Sequence, residues 1–222
     1  AASDVYKRQN HCFMNTGQSC NAPTRMLVSS KNYEAAVETA ANAANSTVVG
    51  TPETEGVRIG PISNKTQYEK VQRLIQTGID EGARLVAGGV GRPEGLNEGY
   101  FVKPTVFADV TNDMTIAREE IFGPVLSILN PKNLTEAIQW LNKLNYGNGA
   151  TIFTTSGASA KEFRASIKCG MVGINVGVPA PMAMFPFSGW NESFYGDLHM
   201  QGSEGVMFYT RQKVILSRWD DS

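Results

Sequence analysis

Histidine and cysteine are scarce in this 222-residue chain, which has two histidines, His11 and His199, and three cysteines, Cys12, Cys20 and Cys169. Histidines so few and so far apart give no His-built metal site. An odd, widely spaced set of thiols is not a disulfide framework, and it fits a reducing compartment. Charge is also limited. Lys and Arg number 20 against 21 Asp and Glu, for a net charge of −1, and no basic cluster gathers on one segment. That balance points away from a nucleic-acid partner or an anionic membrane surface. No basic segment followed by an apolar one opens the sequence, so no secretory signal is expected and a cytoplasmic location is (mitochondrial in a eukaryote). The Asn-x-Ser/Thr sequons at Asn45, Asn64, Asn133 and Asn191 then read as chance matches. The longest uncharged stretch, Cys169 to Asn191, is broken by Pro179, Pro181 and Pro186 and by several glycines. It therefore reads as a strand and a cleft-lining loop, not a membrane helix.

What is present is an apolar share of 41%, enough for a sizeable core. Strand-like runs at Arg25 to Ser29, Arg84 to Ala87, Phe101 to Val110, Val125 to Leu129, Ala150 to Thr154 and Met171 to Val176 alternate with helical patterns. The helices are expected at Asn32 to Asn45, Ser63 to Glu81 with Ser63 as cap, Leu134 to Leu144 and Ala158 to Lys168. Tyr146-Gly147-Asn148-Gly149 reads as a turn, and Gly205 to Leu216 as one final strand. Such alternation predicts an α/β fold with a mainly parallel open sheet flanked by helices. Asp4 to Gln9 match the translation of a transposase-type sequencing adapter, so residues 1–9 are set aside as an expected artefact.

The chemistry concentrates in Phe13-Met14-Asn15-Thr16-Gly17-Gln18-Ser19-Cys20-Asn21-Ala22-Pro23-Thr24-Arg25. A free thiol of pKa about 8.5 is only about 3% thiolate at pH 7, and an arbitrary cysteine is more often a small buried hydrophobe. This context is different. Residue by residue, the segment resembles the nucleophile motif of the aldehyde dehydrogenase superfamily. Arg118-Glu119-Glu120-Ile121-Phe122-Gly123-Pro124-Val125 resembles a second motif of the same family. Tyr146-Gly147, Gly173-Ile174-Asn175 and Phe208-Tyr209-Thr210-x-x-Lys213 follow in the family's order.

The resemblance implies covalent catalysis by Cys20, with Glu120 on the ribose of the nicotinamide half of NAD or NADP and Phe122 beside its ring. Asn175 and Phe187 are candidate pocket residues. It also implies a catalytic domain over residues 10–192 and a tail over 193–222, whose strand joins an oligomerisation sheet in a homotetramer or homodimer. Residues 10–129 look like ordinary hydrolytic members. By contrast, Val178-Pro179-Ala180-Pro181-Met182 and Pro186-Phe187-Ser188-Gly189-Trp190 resemble methylmalonate-semialdehyde dehydrogenases, which make acyl-CoA. The acyl acceptor, water or CoA, stays open, and so does the aldehyde. The family's oxyanion asparagine, water-activating glutamate and dinucleotide-binding sheet precede the nucleophile and have no counterpart in these residues, so the chain alone is not expected to turn over. Two other classes fit a lone reactive cysteine: a Cys20 esterase without cofactor, and a non-catalytic assembly domain with Cys20 buried.

Overall fold

The computed structural model describes residues 11–219, so the adapter-like residues 1–9 lie outside the described residues. Two strands form the centre, β3 (Thr105–Ala108) and β4 (Val125–Leu129), and every residue of both is buried. Their runs, Thr-Val-Phe-Ala and Val-Leu-Ser-Ile-Leu, are apolar on both faces, as a strand covered on both sides must be. Parallel pairing joins β4 to β3 and to β1 (Arg25–Leu27), and β2 (Arg84–Ala87) closes the far edge antiparallel to β3. The order is β1-β4-β3-β2.

Each face takes a helix because side chains alternate across a strand. Val106, Ala108, Leu126 and Ile128 pack under Tyr33, Val37, Ala40 and Ala44 of α1 (Tyr33–Asn45). Phe107, Val125 and Leu129 point the other way, onto Val71, Leu74 and Ile75 of α2 (Lys65–Asp80). The cap of α2 is Asn64, whose side chain accepts the Gln67 N–H, one residue after the expected Ser63. The short helix α3 (Thr115–Arg118) leads from β3 to β4, and the Ser127 hydroxyl, otherwise stranded in the core, donates to the Ile116 carbonyl.

A second, smaller core lies between α4 (Leu134–Asn142) and α5 (Gly157–Ser166), with Ile138, Phe163, Ile167 and Cys169 buried. It backs a parallel pair of its own, β6 (Gly149–Ile152) with β7 (Met171–Ile174). The single open sheet of the sequence reading is therefore divided. Tyr146-Gly147, expected as turn, forms β5 (Tyr146–Gly147), antiparallel to β8 (Trp190–Asn191). Pairing captured it, since Trp190 and Asn191 supply a partner from far along the chain. The strand expected over Phe101 to Val110 is confined to Thr105–Ala108 because Pro104 removes a ladder donor.

The tail differs most from expectation. Where a strand over Gly205 to Leu216 was expected, Gly202–Phe208 form α6, and no strand is assigned from Tyr209 to Trp219. A strand needs a neighbour to take its hydrogen bonds, and none of the described residues offers one. Val214, Ile215, Leu216 and Trp219 stand at 77% exposure or more. Among the described residues no helix is long and apolar enough to cross a membrane.

Candidate active site

The candidate nucleophile sits on a loop wound by three consecutive left-handed residues: Asn15, Thr16 and Gly17 have φ of 52°, 56° and 68°. Thr16 and Gln18 tie this loop outward. The Thr16 hydroxyl donates to the Gly60 carbonyl at 3.0 Å, and Gln18 Oε1 accepts the Ser63 N–H at 2.8 Å. The chain then turns at Ser19, where the carbonyl accepts the Ala22 N–H at 3.0 Å, and Cys20 sits at the second position of that turn. Asn148 Nδ2 holds the Cys20 carbonyl at 2.7 Å from across the cleft.

The three thiols are thereby sorted. Cys20 is exposed, whereas Cys12 and Cys169 are buried. Burial pushes the Cys12 thiol up to about 12 and raises that of Cys169 as well, so both stay protonated and inert at neutral pH. The non-catalytic reading that required a buried Cys20 lacks its premise.

The second motif touches the first through bare backbone. A Cβ on Gly17 would overlap the Gly123 carbonyl and lie 2.8 Å from Pro124 N. A Cβ on Gly123 would come within 2.7 Å of Val71 on α2. The nucleophile turn, the Glu119–Pro124 turn and α2 are stacked in that order at distances only glycine permits. Two α2 side chains fix the middle layer. Gln67 Nε2 donates to the Ile121 and Phe122 carbonyls at 2.9 and 3.0 Å, and Lys70 Nζ donates to the Glu120 carbonyl at 2.7 Å. Phe122 itself has φ of 56°, a strained value for a bulky residue, and these bonds hold it there. Gln67→Ala is expected to lower stability by about 1–3 kcal/mol through two stranded carbonyls. Urea unfolding checks it, with Gln76→Ala, which removes only an exposed bond to Asp80, as the control.

A cleft of about 650 Å³ opens between the large sheet and the β6–β7 pair. Cys20, Glu120, Phe122 and Phe187 line it together, and so do Asn148 and Glu192. Asn175 does not join them. Its side chain accepts the Thr154 N–H at 2.9 Å and donates to the Thr154 carbonyl at 3.0 Å, closing the end of the β6–β7 pair. Arg25, on the cleft wall, donates through Nη2 to Asn112 Oδ1 at 2.9 Å. Its Nε and Nη1 are buried with no partner among the described residues, and burial lowers its pKa to about 10. Gln67 and Lys70 went unmarked in the sequence because each acts through a backbone partner 50 or more positions away.

The model of the aldehyde dehydrogenase family matches residues 2–215. Malonate-semialdehyde dehydrogenase 2 of Bacillus thuringiensis is 46% identical over 208 residues, 94% of this chain and 43% of that protein. Methylmalonate-semialdehyde dehydrogenase from Oceanimonas doudoroffii superposes with a TM-score of 0.94 at 33% identity, covering all of this chain and 46% of its own. An aldehyde dehydrogenase of Mycobacterium tuberculosis, solved with NAD+, gives 0.88 at 39% identity, with 96% and 43% covered. The chain thus spans less than half the length of the relatives it matches. With the family model matching nearly the whole of it, the chain belongs to the aldehyde dehydrogenase family.

Proposed function

We propose that this chain is the nucleophile-bearing part of an NAD-dependent aldehyde dehydrogenase acting on malonate or methylmalonate semialdehyde. The observation that carries the proposal is that Cys20, the exposed thiol among three, shares one cleft with Glu120 and Phe122. The relatives' names support the substrate class, and the Mycobacterium tuberculosis complex supports NAD. The residues present fit the nicotinamide half of the cofactor. The Glu120 carboxylate can accept from ribose hydroxyls, and the Phe122 ring offers an apolar face for the nicotinamide. When bound, the cofactor supplies the hydride acceptor.

Every other step falls to the protein. The Cys20 thiolate adds to the aldehyde carbonyl and forms a thiohemiacetal; its main-chain N–H is the donor this loop offers to the oxyanion. The Asn148 bond to the Cys20 carbonyl keeps that peptide unit from swinging as charge develops. Oxidation leaves a thioester on Cys20, and the acyl group then passes to CoA; transfer to water is the alternative that the hydrolytic look of residues 10–129 favours. Three free thiols fit a cytoplasmic setting, and the exposed apolar tail fits assembly into a homo-oligomer.

Two measurements test this. In the folded chain, iodoacetamide is expected to modify Cys20 at least about tenfold faster than Cys12 or Cys169, followed by peptide mass analysis. Equal rates overturn the assignment. In the protein that carries this sequence, Cys20→Ala is expected to cut NADH formation from malonate semialdehyde at least about 1000-fold. An acyl-CoA product that appears only with added CoA fixes the acceptor as CoA, and free acid in its presence fixes it as water.

A further inference from the structure

Next in sequence to Phe187 and Met200 of the cleft lining, the fold brings a hydroxyl, an imidazole and a carboxylate into line. Ser188 Oγ lies 3.3 Å from His199 Nε2, and His199 Nδ1 lies 2.8 Å from Glu204 Oε2. The same carboxylate oxygen accepts the His199 main-chain N–H at 2.7 Å. Two bonds from one residue to one oxygen fix the position of the ring. Those bonds, the main-chain one foremost, hold the Glu204 carboxyl below the usual carboxylate range, so it is ionised at neutral pH. An ionised partner on Nδ1 makes that nitrogen the protonated one and leaves Nε2 as an acceptor for the Ser188 hydroxyl.

The surroundings hold this line in place. The Phe194 ring stacks on the imidazole, with centroids 4.3 Å apart at 29°. Gly170 lies so close to the Ser188 carbonyl that no Cβ fits between them, which anchors the serine main chain. The His199 and Glu204 side chains remain 22% and 28% exposed, so a small molecule can reach the line. None of the three residues lines the Cys20 cleft.

We propose that Ser188, His199 and Glu204 form a second acyl-accepting centre, which takes short-chain carboxylic esters. Ser188 Oγ attacks the ester carbonyl carbon, and its proton passes to His199 Nε2. The bond from that carbon to the alcohol oxygen breaks, and the alcohol leaves with the proton held on Nε2. Water then attacks the acyl-serine and gives one proton to Nε2. The carboxylic acid departs as Ser188 Oγ takes that proton back. No electron is transferred, and no metal or cofactor is needed. Short acyl chains are favoured because the Phe194 ring, stacked on the imidazole, walls one side of the line.

The test uses the chain carrying Cys20→Ala, which removes the thiol route, with p-nitrophenyl acetate as substrate and a fluorophosphonate as probe. Ester turnover is expected to survive Cys20→Ala and to fall at least about 100-fold on adding Ser188→Ala or His199→Gln. Glu204→Gln, which conserves shape, is expected to cost at least about tenfold. The fluorophosphonate is expected to form a phosphonyl ester on Ser188, with loss of fluoride, and to fail to do so in His199→Gln. A merely structural Ser188–His199 contact would not place phosphorus on that hydroxyl. Labelling absent from the Ser188 peptide, labelling indifferent to His199→Gln, or ester turnover lost with Cys20 alone each overturns the proposal. Failure here leaves the dehydrogenase reading intact, because that rests on Cys20 alone.

Discussion

Gly17→Ala is expected to destabilise the chain by about 2–5 kcal/mol, a large share of the stability of a domain this size. Two independent costs add. At φ of +68° an L side chain is strained, at about 1–2 kcal/mol. The new Cβ would also overlap the Gly123 carbonyl and crowd Pro124 N at 2.8 Å. Neither neighbour is a flexible side chain that could swing aside. The backbone of the Glu119–Pro124 turn would have to shift, and Gln67 and Lys70 clamp it. Denaturant unfolding reads the loss directly. The comparison is Gly56→Ala, at φ of +71° with open space around its Cβ, which carries the strain without the collision. If both substitutions cost the same, the close contact between the motifs is not what holds them together.

Phe107→Ala is expected to cost about 3–5 kcal/mol. Phe107 is fully buried on β3 and packs with Leu74, Ile75 and Ile116 on the α2 side of the sheet. Its ring reaches the helix where α2 has Gly78, whose hypothetical Cβ would lie 3.1 Å from the ring carbon Cζ and 2.9 Å from Ile116 Cδ1. Loss of the ring therefore opens a cavity that α2 can fill only by moving inward, and α2 carries the Gln67 and Lys70 clamps. Thermal unfolding should show the stability loss. Alkylation of Cys20 in the folded variant should also change, since the clamps that position its neighbouring turn shift with the helix. Phe107→Leu, which keeps much of the volume, should recover most of both effects.

Physical chemistry explains which parts of this molecule could be read in advance. β3, β4, α1 and α2 announce themselves because a doubly covered strand must be apolar throughout, and a helix against it must repeat its apolar residues every three or four positions. Cys20, Glu120 and Phe122 were singled out by motif resemblance alone, and all three line one cleft. Asn175 was legible as a residue but not as a location, because nothing local shows that its amide is consumed by the Thr154 main chain. The tail misled for a similar reason. Val206, Phe208 and Thr210 alternate as a strand would, yet alternation states only which face could be apolar. A ladder partner decides whether a strand forms, and α6 satisfies its own backbone where no partner is present. The Ser188–His199–Glu204 line was hidden too, since its members are spread over a glycine- and aromatic-rich stretch without periodicity that ends in α6.

The division of the fold into two cores has a mechanical consequence. The Cys20 loop grows out of the large sheet, while Asn148, which holds its carbonyl, sits on the bend that leads into β6, whose strand pair is backed by the small core of Ile138, Phe163, Ile167 and Cys169. The thiol is therefore suspended between two bodies, like a cable anchored on opposite banks. Softening the small core would slacken the far anchor without melting the large one. Nucleophile placement would then degrade at temperatures where most of the chain is still folded.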